Sequence, residues 1–209
     1  MIIGILDYGA GNLKNVCRAV EYLGFEYILV SSAEDFLRAD KLIIPGVGAF
    51  KVAMEQLNKF GLVEAIKKFA SNGAPILGIC LGMQLLFERS HEFGVAEGLG
   101  LVKGEVKLIP NIDGEGKNLK IPHIGWNELI IDNSDSHISK GLNIGDAVYF
   151  VHSYRITSYD KKDVVAHCNY GGILVPSIIQ RENIIGCQFH PEKSGTVGLN
   201  LLNNFLSEV

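Results

Sequence analysis

Four short runs rich in β-branched residues constrain the fold more than any other feature of the chain: Ile2 to Leu6, Tyr27 to Val30, Lys41 to Ile44 and Pro75 to Ile79. They lack the polar–apolar alternation of a half-exposed strand, so each must be covered on both faces, as strands of parallel sheets are. The segments between them have helical periodicity. Leu13 to Leu23 places Leu13, Val16, Val20 and Leu23 on one face, and Ala53 to Ala70 reads as helix with a break at Gly61. Leu81 to Glu88 reads as the helix after the fourth run. This alternation predicts a parallel sheet with helices on both sides.

The second half reads differently. Strands are expected at Leu101 to Ile109, Lys120 to Ile131, Ala147 to Ile156, Val164 to Cys168 and Ile184 to Phe189, some of them antiparallel. Polar insertions at Asn111 to Asn118 and Asp132 to Ser139 separate them. A last helix is expected over Thr196 to Val209, with Leu199, Leu202, Asn203 and Leu206 at helical spacing and Leu202 and Leu206 as its inner stripe. No repeat, low-complexity stretch or linker interrupts residues 1–209, which predicts one domain.

Composition removes several classes of function. A net charge of −4 gives no basic footprint for nucleic acid or an anionic membrane. No apolar run approaches the ~18 residues of a membrane span, and the N-terminus lacks a signal peptide's basic start and cleavage site. The cysteines at 17, 80, 168 and 187 have neither CxxC nor metal-ligand spacing. Reduced thiols, no metal or cofactor and a cytoplasmic location are expected.

Chemistry concentrates at Gly78-Ile-Cys-Leu-Gly82, between a strand and a helix. Glycines flanking a central nucleophile are the pattern of a nucleophile elbow, a strained turn with no room for larger neighbours. It would expose the Cys80 thiol at the carboxyl edge of the sheet, where open α/β sheets bind ligands. The helix N-terminus beneath it favours a thiolate. Alone, the segment reads equally well as a buried structural cysteine between packing glycines.

Acyl transfer by a cysteine also needs a base and a group to orient that base. His190-Pro191-Glu192, at the end of the last predicted strand, offers both. Taken alone, His190 could simply cap the strand with Glu192 at the surface, and the elbow tips the balance. The N–H of Leu81 is the natural first oxyanion donor, and a second could come from the Gly46–Gly48 loop after the third strand. Asp7-Tyr-Gly-Ala-Gly-Asn12 invites a dinucleotide reading. It fails, because Lys14 stands where the fingerprint needs glycine, and Ser31 and Ser32 stand where a ribose-binding acid belongs. His91, His137 and His167 carry no argument.

Gly78 to Gln84 with His190-Pro-Glu192 resembles the class I (triad) glutamine amidotransferases. The resemblance runs end to end, through Asp7 to Leu13, Pro45 to Gly48, Pro122 to Asn127, Tyr149 to Tyr154 and Phe189 to Ser194. It implies a flavodoxin-like, open, twisted, mostly parallel sheet with helices on both faces and an added antiparallel portion. It further implies that Cys80 attacks the side-chain amide of glutamine to release ammonia, with His190 moving the proton and Glu192 holding the imidazole. Val47 would supply an oxyanion N–H after a backbone rearrangement. Gln84 and the backbone of Gly48, His152, Ser153 and Tyr154 would hold the glutamine. The Asp7 loop and Gly125-Trp-Asn127 narrow the resemblance to glutaminase subunits that feed a (β/α)₈ cyclase partner in a heterodimer. Asn12, Asn15, Trp126 and Lys193 would then lie at that contact. Three alternatives stand beside this: a paralogue feeding a different synthase, such as one amidating surface-polysaccharide sugars; a non-catalytic module; and an elbow esterase or peptidase.

Overall fold

The computed structural model describes residues 1–9 and 11–207. The first half runs β1 (Ile2–Leu6), α1 (Leu13–Tyr22), β2 (Glu26–Val30), β3 (Lys41–Ile44), α2 (Phe50–Lys59), α3 (Leu62–Ser71), β4 (Ile76–Ile79) and α4 (Leu81–Leu85). Next come β5 (Phe87–Ser90), β6 (Ala96–Glu97), β7 (Val102–Leu108), β8 (His123–Glu128), β9 (Ile130–Ile131) and β10 (Ala147–His152). The chain continues with β11 (Tyr154–Thr157), β12 (Val164–Tyr170), β13 (Ile173–Arg181), β14 (Ile184–Cys187) and α5 (Gly195–Ser207).

The main sheet has the order β2-β1-β3-β4-β14-β13-β12-β9. Its first five strands pair in parallel, and the remainder extends the sheet antiparallel. This is the predicted open, mostly parallel sheet with an antiparallel addition. Side chains alternate between its faces, as a pleated strand requires. Ile43, Leu77 and Ile79 pack with α1 and α5 on one side. Leu42, Ile44 and Ile76 pack with α2, α3 and α4 on the other. The β3, β4 and β14 residues are all buried, which accounts for a sequence that is apolar except at Lys41, whose Nζ donates to Phe205 O at 2.6 Å. Two smaller sheets, β10-β8 and β11-β7-β5-β6, lie outside the main one.

The sequence reading needs correction at several elements. The helix after Cys80 stops at Leu85, and β5 follows at once, because Phe87 and Ser90 pair with β7. Lys120 to Ile131 is not one strand. Pro122, which has no N–H to give a ladder, precedes β8, and a break at Leu129 separates β9. Ala147 to Ile156 divides at Ser153, where the chain leaves its pairing with β8 and joins β7. A further strand, β13, lies between the expected strands Val164 to Cys168 and Ile184 to Phe189, with Pro176 inside it. Pro176 sits opposite His167, beside a register shift in the β12–β13 ladder, where a missing donor is tolerated. The last helix has a wider buried stripe than Leu202 and Leu206, adding Leu201 and Phe205. Its expected end at Glu208 and Val209, like Ala10 in the β1–α1 loop, lies outside the described residues.

Candidate active site

Cys80 ends β4 and opens α4 with φ 55 and ψ −110. A side chain at positive φ is strained by about 1–3 kcal/mol, and the surrounding backbone holds it there. The Cys80 amide donates to Cys187 O at 2.8 Å, and its carbonyl accepts from Gln84 N at 3.2 Å. The flanking glycines answer to close backbone approach. A Cβ on Gly82 would lie 1.8 Å from Ile44 O, and one on Gly78 would lie 2.6 Å from Gly82 O. The turn can therefore pack against the edge of β3 only with glycine at both positions.

His190 follows β14, and its amide donates to Tyr149 O at 3.0 Å. The Ser194 hydroxyl donates to His190 O at 2.7 Å and accepts from Tyr149 N at 2.9 Å, so the imidazole rests on a fixed backbone. His190 Nδ1 lies 2.7 Å from Glu192 Oε1, and both side chains are fully buried. His190 Nε2 and Glu192 Oε2 have no hydrogen-bond partner among the described residues. Burial lowers the His190 pKa, but attraction to the Cys80 sulfur and the Glu192 carboxylate outweighs it, and the value rises to about 9. Since Nε2 makes no hydrogen bond, we attribute the Cys80 contribution to charge attraction across the gap.

A pocket of about 300 Å³ opens over Cys80 and is lined by Val47, Gly48, Leu81, Gln84, Glu92, Pro122, Val151, His152, Ser153 and Tyr154. Every residue that the sequence reading assigned to the oxyanion site or the glutamine therefore faces one cavity. Leu81 is the first residue of α4, so its N–H is among the first-turn amides that have no acceptor within the helix. Gly48 takes φ +112, a conformation that favours glycine. Behind this loop the buried Tyr8 hydroxyl donates to Pro45 O at 2.9 Å. Burial and the nearby Cys80 push the Tyr8 phenol well above its ordinary value.

The sequence reading gives no role to Glu92 or His123, and of His152 it uses only the backbone. Glu92 places the only acidic side chain among the lining residues, and its Oε2 accepts from Phe50 N at 2.6 Å. It lies after β5, beyond the expected helix end at Glu88, and no motif marks it. His152 Nδ1 lies 2.8 Å from Tyr154 O, and its Nε2 lies 3.0 Å from His123 Nδ1. Tyr154 O can only accept, so His152 carries its proton on Nδ1 and receives at Nε2 from His123 Nδ1–H. Burial lowers both imidazoles, His123 to about 4 and His152 to about 3. His123 is stacked on Phe150 and Tyr170, with ring centroids 4.6 and 4.0 Å away.

The four residues assigned to a partner contact divide. Trp126 is 60% exposed on β8, touching Tyr149 edge-on, so it is not a core tryptophan. Asn15 and Lys193 are exposed. Asn12 is half-buried, and its Nδ2 donates to Glu192 Oε1 at 2.6 Å. No group of three or more His, Cys, Asp or Glu among the described residues could hold a metal ion. No described helix is long and apolar enough to cross a membrane.

A cysteine on a strained strand-to-helix turn, a buried His–Glu pair beside it and a small pocket with a few polar groups define a cysteine-dependent acyl-transfer enzyme of the α/β class. The chain belongs to the class-I glutamine amidotransferase family, whose profile matches residues 4–209. Among curated relatives it is 46% identical over 208 residues to "Imidazole glycerol phosphate synthase subunit HisH 1" of Legionella pneumophila (strain Lens), covering 98% of each chain. It is 48% identical over 207 residues to the subunit HisH of Lactococcus lactis subsp. lactis (strain IL1403), covering 99% of this chain and 98% of that one. Two solved structures share the fold. One, described as a glutamine amidotransferase, has a TM-score of 0.76 at 20% identity and covers 99% of this chain and 97% of that one. The other, PurLQS from Thermotoga maritima, has a TM-score of 0.72 at 21% identity and covers 98% and 97%.

Proposed function

We propose that the whole chain is one amidotransferase domain that hydrolyses glutamine and passes the ammonia to a (β/α)₈ cyclase, as the glutaminase subunit of imidazole glycerol phosphate synthase in histidine biosynthesis. The observation that carries the chemistry is the buried His190–Glu192 pair behind Cys80, which itself lines a pocket walled by Gln84, Glu92 and the Ser153 turn. The identity of the acceptor reaction rests on the relatives.

Cys80 Sγ attacks the side-chain carbonyl carbon of glutamine, and its proton rests on His190. The carbonyl oxygen takes up negative charge and is met by the N–H groups of Leu81 and Val47. His190 gives its proton to the amide nitrogen, the C–N bond breaks, and ammonia leaves a glutamyl thioester. Water then attacks the thioester, surrendering a proton to His190, so that glutamate and the free cysteine are released. Glu192 holds the imidazole throughout. At the other end of the substrate, Glu92 suits the α-ammonium, and backbone groups from Gly48 and His152 to Tyr154 suit the rest of the amino-acid end.

The partner would use the ammonia to form imidazole glycerol phosphate and aminoimidazole carboxamide ribonucleotide. Direct transfer has a physical reason, because ammonia free in water at neutral pH is protonated and no longer a nucleophile. Asn12, Asn15, Trp126 and Lys193 would lie at the contact, with exposed Trp126 as its anchor. A cytosolic setting follows from this role.

The test pairs the Cys80→Ala chain with the cyclase subunit and supplies either glutamine or ammonium. Glutamine-dependent product should vanish while ammonia-dependent product persists. Loss of both by an intact complex would overturn the division of labour.

A further inference from the structure

Gln188 lies between β14 and His190, is completely buried and does not line the pocket over Cys80. No part of the mechanism above uses it. A fully buried primary amide needs partners for its N–H groups and its oxygen. Its Oε1 accepts from Gln84 Nε2 at 3.0 Å, and the same Gln84 nitrogen donates to Tyr154 O at 3.3 Å. A backbone carbonyl can only accept, so Tyr154 O fixes which end of the Gln84 amide is the nitrogen. That in turn fixes Gln188, whose oxygen faces Gln84 and whose nitrogen faces the other way. The group it faces is Cys80 Sγ, at 3.9 Å, the one hydrogen-bond partner of Gln188 Nε2 among the described residues.

We propose that Gln188 is a further catalytic residue of the glutaminase reaction, donating an N–H to the Cys80 sulfur and steadying it as a thiolate. The proposal rests on the reading of Cys80 as nucleophile. As a thiol, Cys80 has its own acceptor, Val151 O at 4.0 Å. As a thiolate it cannot donate and needs donors instead. Gln188 Nε2 supplies one from below the pocket, where water does not reach, and a hydrogen bond to a charged acceptor is shorter and stronger than one to a neutral group. The donor serves twice, when the sulfur attacks and when the thioester breaks and the charge returns to sulfur. Because Gln84 lines the pocket and also orients Gln188, the wall that receives the substrate aims the group that holds the nucleophile.

The experiment uses the full chain, with iodoacetamide as the thiol probe and Cys80 modification followed by peptide mass. In the parent chain, glutamine should protect Cys80; absence of protection would defeat the glutaminase reading itself. Gln188→Met keeps the volume and removes the donor. It should slow Cys80 alkylation about tenfold near pH 7, with the gap closing towards pH 10, and lower glutamine turnover about tenfold with KM within about threefold. Gln188→Asn keeps a buried amide but draws it back from the sulfur, and should behave as Gln188→Met does. It also supplies the measurement should the Met variant not fold. With glutamine protection intact in the parent, an alkylation profile in either folded variant that superimposes on the parent's would overturn the proposal.

Discussion

Asn12 Nδ2 lies 2.6 Å from Glu192 Oε1, the same oxygen that sits 2.7 Å from His190 Nδ1. Asn15 in turn donates from Nδ2 to Asn12 Oδ1 at 2.8 Å. An exposed asparagine on α1 is thus two hydrogen bonds from the carboxylate that orients the imidazole. The loop after β1 touches the oxyanion side as well, since a Cβ on Gly11 would come within 2.9 Å of Val47 Cγ2. One short loop therefore abuts both halves of the catalytic apparatus.

Asn12→Ala should lower glutamine turnover by roughly tenfold or more, the consequence of losing a hydrogen bond to a charged group worth about 1.5–3 kcal/mol. Ammonia-dependent synthesis by the complex should be unchanged, because the partner's site does not use Glu192. Steady-state rates with each nitrogen source check this. An equal fall with both would show that the substitution disturbs assembly instead.

Gly82→Ala should prevent folding or destabilise the chain by more than about 4 kcal/mol. The added carbon would lie 1.8 Å from Ile44 O, a backbone atom of a central strand that cannot step aside. Urea denaturation, or simply the yield of soluble protein, measures it. A well-folded Gly82→Ala chain would mean that the elbow can pack differently.

Stability should be greatest near pH 6.5 and decline on both sides. His190 binds its proton more tightly folded than unfolded, at about 9 against 6.5. Its contribution is complete below pH 6.5 and is lost as pH rises through about 9. His123 and His152 are shifted the opposite way, to about 4 and about 3. Their contribution is present above pH 6.5 and is lost as pH falls through those values. Each group changes stability by at most about 1.4 kcal/mol per pH unit. Urea midpoints between pH 5 and 9 would check the shape, and the Glu192→Gln variant should flatten the alkaline side. A parent profile that keeps rising to pH 9 would contradict the protonated His190.

Trp126→Ala should cost the isolated chain little, within about 1 kcal/mol, because the indole is already 60% exposed. Binding to the cyclase subunit, followed by titration calorimetry, should weaken at least about tenfold, as expected for an interface anchor. Unchanged affinity together with unchanged stimulation of glutaminase would remove Trp126 from the interface.

The elements that came through from sequence are those whose environment is uniform along their length. β1, β4 and, after Lys41, β3 are apolar because both faces are covered, and α1 shows its stripe because one face is. The elements that did not come through answer to distant partners. β13 contains a proline that local rules exclude, yet the β12 register accommodates it. Nothing in the sequence marks Ser153 as the residue where the chain changes sheets.

The same division holds at the active site. Sequence alone singled out Cys80, His190 and Glu192, since an elbow, a base and a carboxylate have recognisable types and spacings. It also marked Gly78 and Gly82, whose purpose is steric and local. Glu92, His123 and Gln188 could not be found that way, because a lone polar residue acquires a role only from what the folded chain brings beside it. Parallel strands place their carboxyl ends together across gaps of more than a hundred residues, as β4 and β14 do here. That packing, and no local pattern, sets the Gln188 amide against the Cys80 sulfur and the Asn12 amide against Glu192.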